Sequence, residues 1–206
     1  MLNRFYYKDT IEVGIDEAGR GPLFGRVYIG AVILPQDDSF DHSLMRDSKK
    51  LNEQKREEAY KYITNNAIDW CSFWVSEKDI DDMNIFKATH YGMHKVLDKL
   101  LVRPEHILVD GNKFYPYQKE GDFIPHICVV GGDNKYSAIA AASIIAKVER
   151  DRYINEMCDK FPNLVPFYDL RNNKGYGSKN HLNGIKLHGI TNWHRKTFGI
   201  CKNYVS

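Results

Sequence analysis

Residues 138–157 constrain the fold of this 206-residue chain more than any other stretch. Their first half, Ala-Ile-Ala-Ala-Ala-Ser-Ile-Ile-Ala, is apolar nearly all the way round, so a helix there must be covered on several sides. Its small side chains allow close approach to a β-sheet, and the rest of the sequence supplies one. Residues 10–15, 26–34 and 67–75 are rich in β-branched and aromatic side chains and read as strands, the second stopped by Pro35. Residues 106–109 and 127–130 are shorter apolar runs without alternation, as expected of strands covered on both faces. Asn52 is placed to cap a helix reaching about residue 65, Ser76 caps a short acidic turn, and a further helix is expected over 85–101. This order predicts an α/β domain, a mixed five-stranded sheet flanked by helices. The first three strands suit antiparallel pairing and the later two parallel pairing.

Charge divides the chain unequally. Between residues 170 and 206 there are seven Lys or Arg and no Asp or Glu, which leaves 22 basic against 27 acidic groups in residues 1–169. The expected organisation is therefore an acidic body, 1–169, with a basic helical and loop extension, 170–206, packed on the same domain. A carboxylate site that holds cations beside a surface that holds phosphates would show this pattern, and so would an ordinary solvated basic surface. The four cysteines are far apart and form no Cys-x-x-Cys pair, which suits reduced, buried thiols in an intracellular, cytoplasmic protein. No stretch is long and apolar enough to span a membrane, and the first ten residues have no apolar core of a secretory signal.

In open α/β sheets functional groups collect at the carboxyl ends of strands. Asp16 and Glu17 fall at the end of the first strand, Asp110 ends the fourth, and Asp133 follows the fifth. Any one of them alone reads as a cap or turn residue. Together they form an oxygen-only donor set, which points to Mg²⁺ or Mn²⁺, and two such ions about 3.5–4 Å apart would clamp a phosphodiester displacement. Adjacent Asp16 and Glu17 point to opposite faces of a regular strand. Both are expected to reach one site only if the backbone breaks, and Gly19-Arg20-Gly21-Pro22 has the composition of a break.

Six blocks in order carry a resemblance. Gly14-Ile15-Asp16-Glu17-Ala18-Gly19-Arg20-Gly21-Pro22-Leu23 resembles the first signature of ribonuclease HII, and Asp47-Ser48-Lys49-Lys50-Leu51 its second. Residues 80–89 resemble the helical stretch that follows. Val109-Asp110-Gly111 and Gly132-Asp133, then residues 140–148 with Arg150-Asp151, are similar to the later acidic blocks. Residues 175–181, His188-Gly189 and His194-Arg195 are similar to the C-terminal block. The resemblance runs from residue 14 to 198. It implies a ribonuclease H-like fold and an endonuclease that hydrolyses the RNA strand of RNA–DNA hybrids. It also implies cutting 5′ of ribonucleotides embedded in duplex DNA by two-metal-ion catalysis, leaving 3′-hydroxyl and 5′-phosphate ends. Asp16, Glu17, Asp110 and Asp133 would be the catalytic acids and metal ligands. The Gly19, Arg20 and Gly21 backbone would read the 2′-hydroxyl, and Tyr176 would pack beneath the sugar on the 3′ side of the cut. Glycine permits close backbone approach, and the 2′-hydroxyl is what distinguishes RNA from DNA.

Lys49, Lys50, Lys179 and Arg195 are expected to contact substrate phosphates, with the protein acting as a monomer on hybrid or ribonucleotide-containing duplex. His90 and His94 have the spacing of a helical zinc pair, but no third soft ligand is near, so packing histidines are expected. Residues 70–74 alternate as a core strand. Phe24, Arg26 and Gly177 depart from the family's usual residues, and Arg26 is expected to lie beside the site. A catalytically silent hybrid-binding module is the alternative class, opposed by the retention of all four acids.

Overall fold

The computed structural model describes residues 2–45 and 52–205. Its sheet is built outward from β1 (Glu12–Ala18), which pairs antiparallel with β2 (Val27–Ile33) on one side. β2 pairs antiparallel with β3 (Asp69–Val75), the edge strand. On its other side β1 pairs in parallel with β4 (His106–Asp110). Between β4 and the last sheet strand lies a hairpin, β5 (Tyr117–Lys119) with β6 (Asp122–Ile124), which the sequence reading did not anticipate. β7 (His126–Val129) then completes the order β3-β2-β1-β4-β7, parallel to β4. The mixed sheet and the pairing directions are those the sequence predicts.

The capping residues act where expected. The Asn52 side chain accepts from the Lys55 amide at the start of α1 (Glu53–Asn66), and Ser76 accepts from the Asp79 amide at the start of α2 (Glu77–Met83). α3 (Ile85–Asp98) lies on the face of the sheet that Val13, Ile15 and Ile29 present. α4 (Ser137–Lys160) lies on the other face, where Val32, Ala141 and Ile145 pack together with Ile63 of α1. A Cβ on Gly14 would sit 2.2 Å from the Ala138 carbonyl carbon, and one on Gly30 2.3 Å from the Ala142 oxygen. Helix and sheet are thus nearly in backbone contact, which explains why the first half of α4 is small and apolar.

The basic tail is part of the core. It follows α5 (Leu164–Tyr168) without a linker and contains α6 (Leu170–Asn173) and α7 (Lys179–His188). Ile185 and Cys201 are buried with Phe24 and Tyr168, and the Leu23 amide donates to the Gly175 carbonyl at 2.9 Å. The edge position of β3 also corrects an expectation. Trp74 is 44% exposed and lies under the Arg26 guanidinium, 3.7 Å from the ring centroid, so it is not a core side chain. All four cysteines are free thiols, and among the described residues no helix is long and apolar enough to cross a membrane.

Candidate active site

β1 is longer than predicted, and this resolves the problem of its two adjacent acids. The strand stays paired with β2 through Ala18, opposite Tyr28, whereas its last partner on β4 is Val109, opposite Ile15. β4 stops at Asp110, so the far end of β1 has an open flank. Asp16 continues the α4 face with Gly14, and Glu17 continues the α3 face with Ile15. Both still border one cleft of about 420 Å³, because no neighbouring strand separates the two faces there. The expected backbone break is therefore unnecessary; the parallel neighbour simply ends first.

Asp16, Glu17 and Asp110 line this cleft with Gly19, Arg20, Gly21 and Tyr176. Each acid is held by a protein donor: Asp16 Oδ1 accepts from the Glu17 amide at 2.7 Å, and Asp110 Oδ1 from the Gly132 amide at 2.6 Å. Arg20 Nη1 donates to Glu17 Oε1 at 3.2 Å. Burial pushes the Asp16 carboxyl well above the usual carboxylate range, reinforced by the charges of Glu17 and Asp110. Burial also raises Glu17, against the lowering effect of Arg20. Negative charge is thus crowded at a strand end with limited compensation. A divalent cation would reverse both shifts, and the all-oxygen donors fit Mg²⁺ or Mn²⁺. No three His, Cys, Asp or Glu side chains among the described residues ring a single point.

Asp133 is placed differently from these three acids. It follows β7 in a short 3-10 turn, is 1% exposed, accepts from Asn134 Nδ2 at 2.8 Å, and is not on the cleft wall. Its turn contributes through Gly132, whose amide orients Asp110. Lys49 and Lys50 lie outside the described residues. Lys179 is exposed as the first residue of α7, away from the cleft wall. Arg195 cannot contact phosphates: it is fully buried, and Nη2, Nη1 and Nε donate to the carbonyls of Gly19, Arg20 and Gly25. Burial lowers its pKa to about 9, so it stays cationic at neutral pH. Arg26 does not border the cleft either; its guanidinium is sandwiched by Trp74 and Tyr153.

Three polar residues of the cleft wall, Arg56, Ser143 and Lys147, were not among the expected site residues. Ser143 shares the cleft wall with Asp16 and works against the rise in its pKa, and Lys147 and Arg56 share Asp151, at 2.7 Å and 3.3 Å. Lys147 lies four residues beyond Ser143, the one signal available, since i and i+4 share a helix face. Arg56 comes from α1 and carried no signal. Tyr176 is 45% exposed, and its carbonyl accepts from His181 Nδ1 at 2.9 Å. His181 Nε2 in turn meets His194 Nε2 at 3.1 Å, while the Thr191 amide donates to His194 Nδ1. The two rings are therefore neutral and share one proton, and burial pushes His194 down to about 3. His90 and His94 bond the carbonyls of Phe86, Lys113 and Tyr115, as packing residues do.

The family model described as Ribonuclease HII matches residues 13–201. The chain belongs to the ribonuclease HII family. It is thus a ribonuclease H, an endonuclease that acts on RNA–DNA hybrids. A ribonuclease HII of Parabacteroides distasonis is 48% identical over 198 residues, 96% of this chain and 94% of that protein. One of Bacteroides thetaiotaomicron is 46% identical over 200 residues, 97% and 95% of the two chains. Among solved structures, the ribonuclease H2 of Pyrococcus horikoshii superposes with a TM-score of 0.75 at 27% identity, covering 94% of this chain and 96% of that one.

Proposed function

We propose that this chain cuts RNA–DNA hybrids and single ribonucleotides in duplex DNA at the cleft formed by Asp16, Glu17 and Asp110, with Mg²⁺ or Mn²⁺ as cofactor. One observation carries the reading: three carboxylates, a glycine turn and an exposed tyrosine border the same cleft. A Cβ on Gly21 would lie 3.6 Å from Tyr176 Cε1, so turn and ring are neighbours. A ribose seated between them presents its 2′-hydroxyl to the backbone and its 3′ neighbour to the aromatic face.

Asp16, Glu17 and Asp110 would hold the metal. Asp133, next to the Gly132 amide that holds Asp110, is assigned as the fourth ligand from the motif. Bound there, divalent ions supply Lewis acidity for activating water and for stabilising the departing oxygen. Asp16 and Glu17 orient the water, each fixed by its own hydrogen bond. Lys147 and Arg56, held by Asp151, supply positive charge to the substrate backbone, and the exposed Lys179 extends it. Lys49 and Lys50 are assigned the same role from the motif. Phosphates held this way set the register in which the 5′ side of the ribonucleotide faces the acids. The products are a 3′-hydroxyl and a 5′-phosphate. The four free thiols suit a reducing, cytoplasmic setting.

The experiment is to incubate end-labelled duplex DNA containing one ribonucleotide with the protein in Mg²⁺, in Mn²⁺ and in EDTA. A cut 5′ of the ribonucleotide, dependent on metal, is expected. An uncut duplex in both metals, with cleavage of long hybrids retained, would remove the single-ribonucleotide activity.

A further inference from the structure

Arg195 is a large cation with no exposure, and its three donor nitrogens all serve one stretch of backbone. Nη2 donates to the Gly19 carbonyl at 2.6 Å, Nη1 to the Arg20 carbonyl at 2.9 Å, and Nε to the Gly25 carbonyl at 2.8 Å. The site is fixed from several sides. The Arg195 amide donates to the Leu23 carbonyl at 2.8 Å, and the guanidinium lies over Phe198, 5.0 Å from the ring centroid. Gly19 has a φ of +95°, and a Cβ there would meet the Arg150 side chain at 2.2 Å, so a second buried arginine sets the same turn.

In a trans peptide the carbonyl and the following N–H point in opposite directions. The chain has no cis bonds among its described residues. Turning the Gly19 carbonyl toward Arg195 therefore turns the Arg20 amide away from it, and turning the Arg20 carbonyl does the same for the Gly21 amide. The opposite side of this turn is the cleft, which Gly19, Arg20 and Gly21 line and Arg195 does not. Among the described residues no protein acceptor takes either amide. A cation on the carbonyl side also polarises both peptides, making their N–H groups stronger donors.

We propose that Arg195 is a positioning residue for ribonucleotide recognition: it presents the Arg20 and Gly21 amides to the cleft as a two-donor receptor for the 2′-hydroxyl oxygen of the target ribonucleotide. The inference rests on the cleft being the substrate site, and adds the group that makes its glycine turn selective. It also gives the basic tail a role other than phosphate contact, since Arg195 acts from inside the protein.

The test compares the Kd of the full-length protein for two duplexes, identical except for one ribonucleotide, by fluorescence anisotropy in metal-free buffer, where neither is cut. Wild type is expected to prefer the ribonucleotide. In Arg195→Met, which fills the space without donors, the preference falls roughly ten-fold or more while the all-deoxy Kd is unchanged. Arg195→Lys, which keeps the charge and fewer aligned donors, falls between the two. Should the Met variant not fold, the Lys variant decides: a reduced preference supports the role, and a wild-type preference overturns it. Equal weakening of both duplexes would assign the amides to a phosphate and overturn the proposal. Wild-type protein that cuts hybrids yet shows no ribonucleotide preference would overturn it while leaving the catalytic cleft intact.

Discussion

Gly14→Ala probes the contact that sets the geometry of the site. The new Cβ would lie 2.2 Å from the Ala138 carbonyl carbon and 2.4 Å from both its oxygen and the Ile139 nitrogen. These are backbone atoms of a 24-residue helix, so no side chain can swing aside. Ordinary contact begins near 3.4 Å, so α4 would have to recede by more than about 1 Å. It cannot simply pivot, because Gly30 makes a similar approach to Ala142 one turn further along. Overpacking of this kind costs roughly 1–3 kcal/mol, and backbone-on-backbone contact places it at the upper end. For a domain of this size, about 3 kcal/mol lowers Tm by roughly 6–12 °C. The same movement carries Ser143 away from Asp16, two residues beyond Gly14 on the same face, and a displacement of about 1 Å costs roughly 100-fold in rate. Thermal melting and kcat/KM on a hybrid should be measured together. A variant that melts within about 2 °C of wild type and keeps full activity would refute the claim that helix and sheet are held at backbone contact.

Gly21→Ala should separate recognition from folding: its Cβ meets only Tyr176, at an ordinary 3.6 Å, so Tm should hold while kcat/KM on ribonucleotide substrates falls roughly ten-fold; a lower Tm would point to a structural glycine. Asp16→Asn should abolish cleavage yet stabilise the metal-free protein at neutral pH, by about 1–3 kcal/mol in urea melts. The folded state raises the Asp16 pKa, so it binds the proton more readily than the unfolded chain, and wild-type stability falls as pH rises above the ordinary value of 3.8. That slope should shrink in the variant, while activity in wild type runs the other way and is lost as pH falls and Asp16 is protonated; an unchanged stability slope would contradict the burial argument. Tyr176→Ala should lose far more kcat/KM on a single ribonucleotide in DNA than on a long hybrid, and equal losses would leave Tyr176 a structural residue.

Much of this arrangement was legible in the sequence because local signals and tertiary demands agree. The apolar first half of α4, the Asn52 and Ser76 caps and the unalternating β4 and β7 runs each became the element expected. Asp16, Glu17 and Asp110 were marked as candidates by their strand-end positions and assigned by the resemblance, and the fold brings all three to one cleft. What could not be read depends on where neighbours stop. The union of Asp16 and Glu17 comes from β4 ending at Asp110, a difference in strand length that no residue of β1 encodes. Arg195 sits in a basic, acid-free tail and looks like a phosphate contact until its burial is known. Arg56 meets Lys147 through Asp151, 95 residues away, and no local pattern marks such a pair. The edge position of β3 likewise turned an aromatic run expected in the core into a half-exposed one.

Cleavage by Asp110→Asn asks whether the acids bordering this cleft hold the ions that cut RNA. The substitution keeps the side chain's size and an oxygen for the Gly132 amide, and removes one negative charge. The duplex with one ribonucleotide should be followed in saturating Mg²⁺, with hybrid affinity measured in parallel. The account predicts turnover reduced to background while hybrid affinity is unchanged or tighter, since one charge opposing the phosphates is gone. Substantial turnover by a variant that folds and binds like wild type would contradict it.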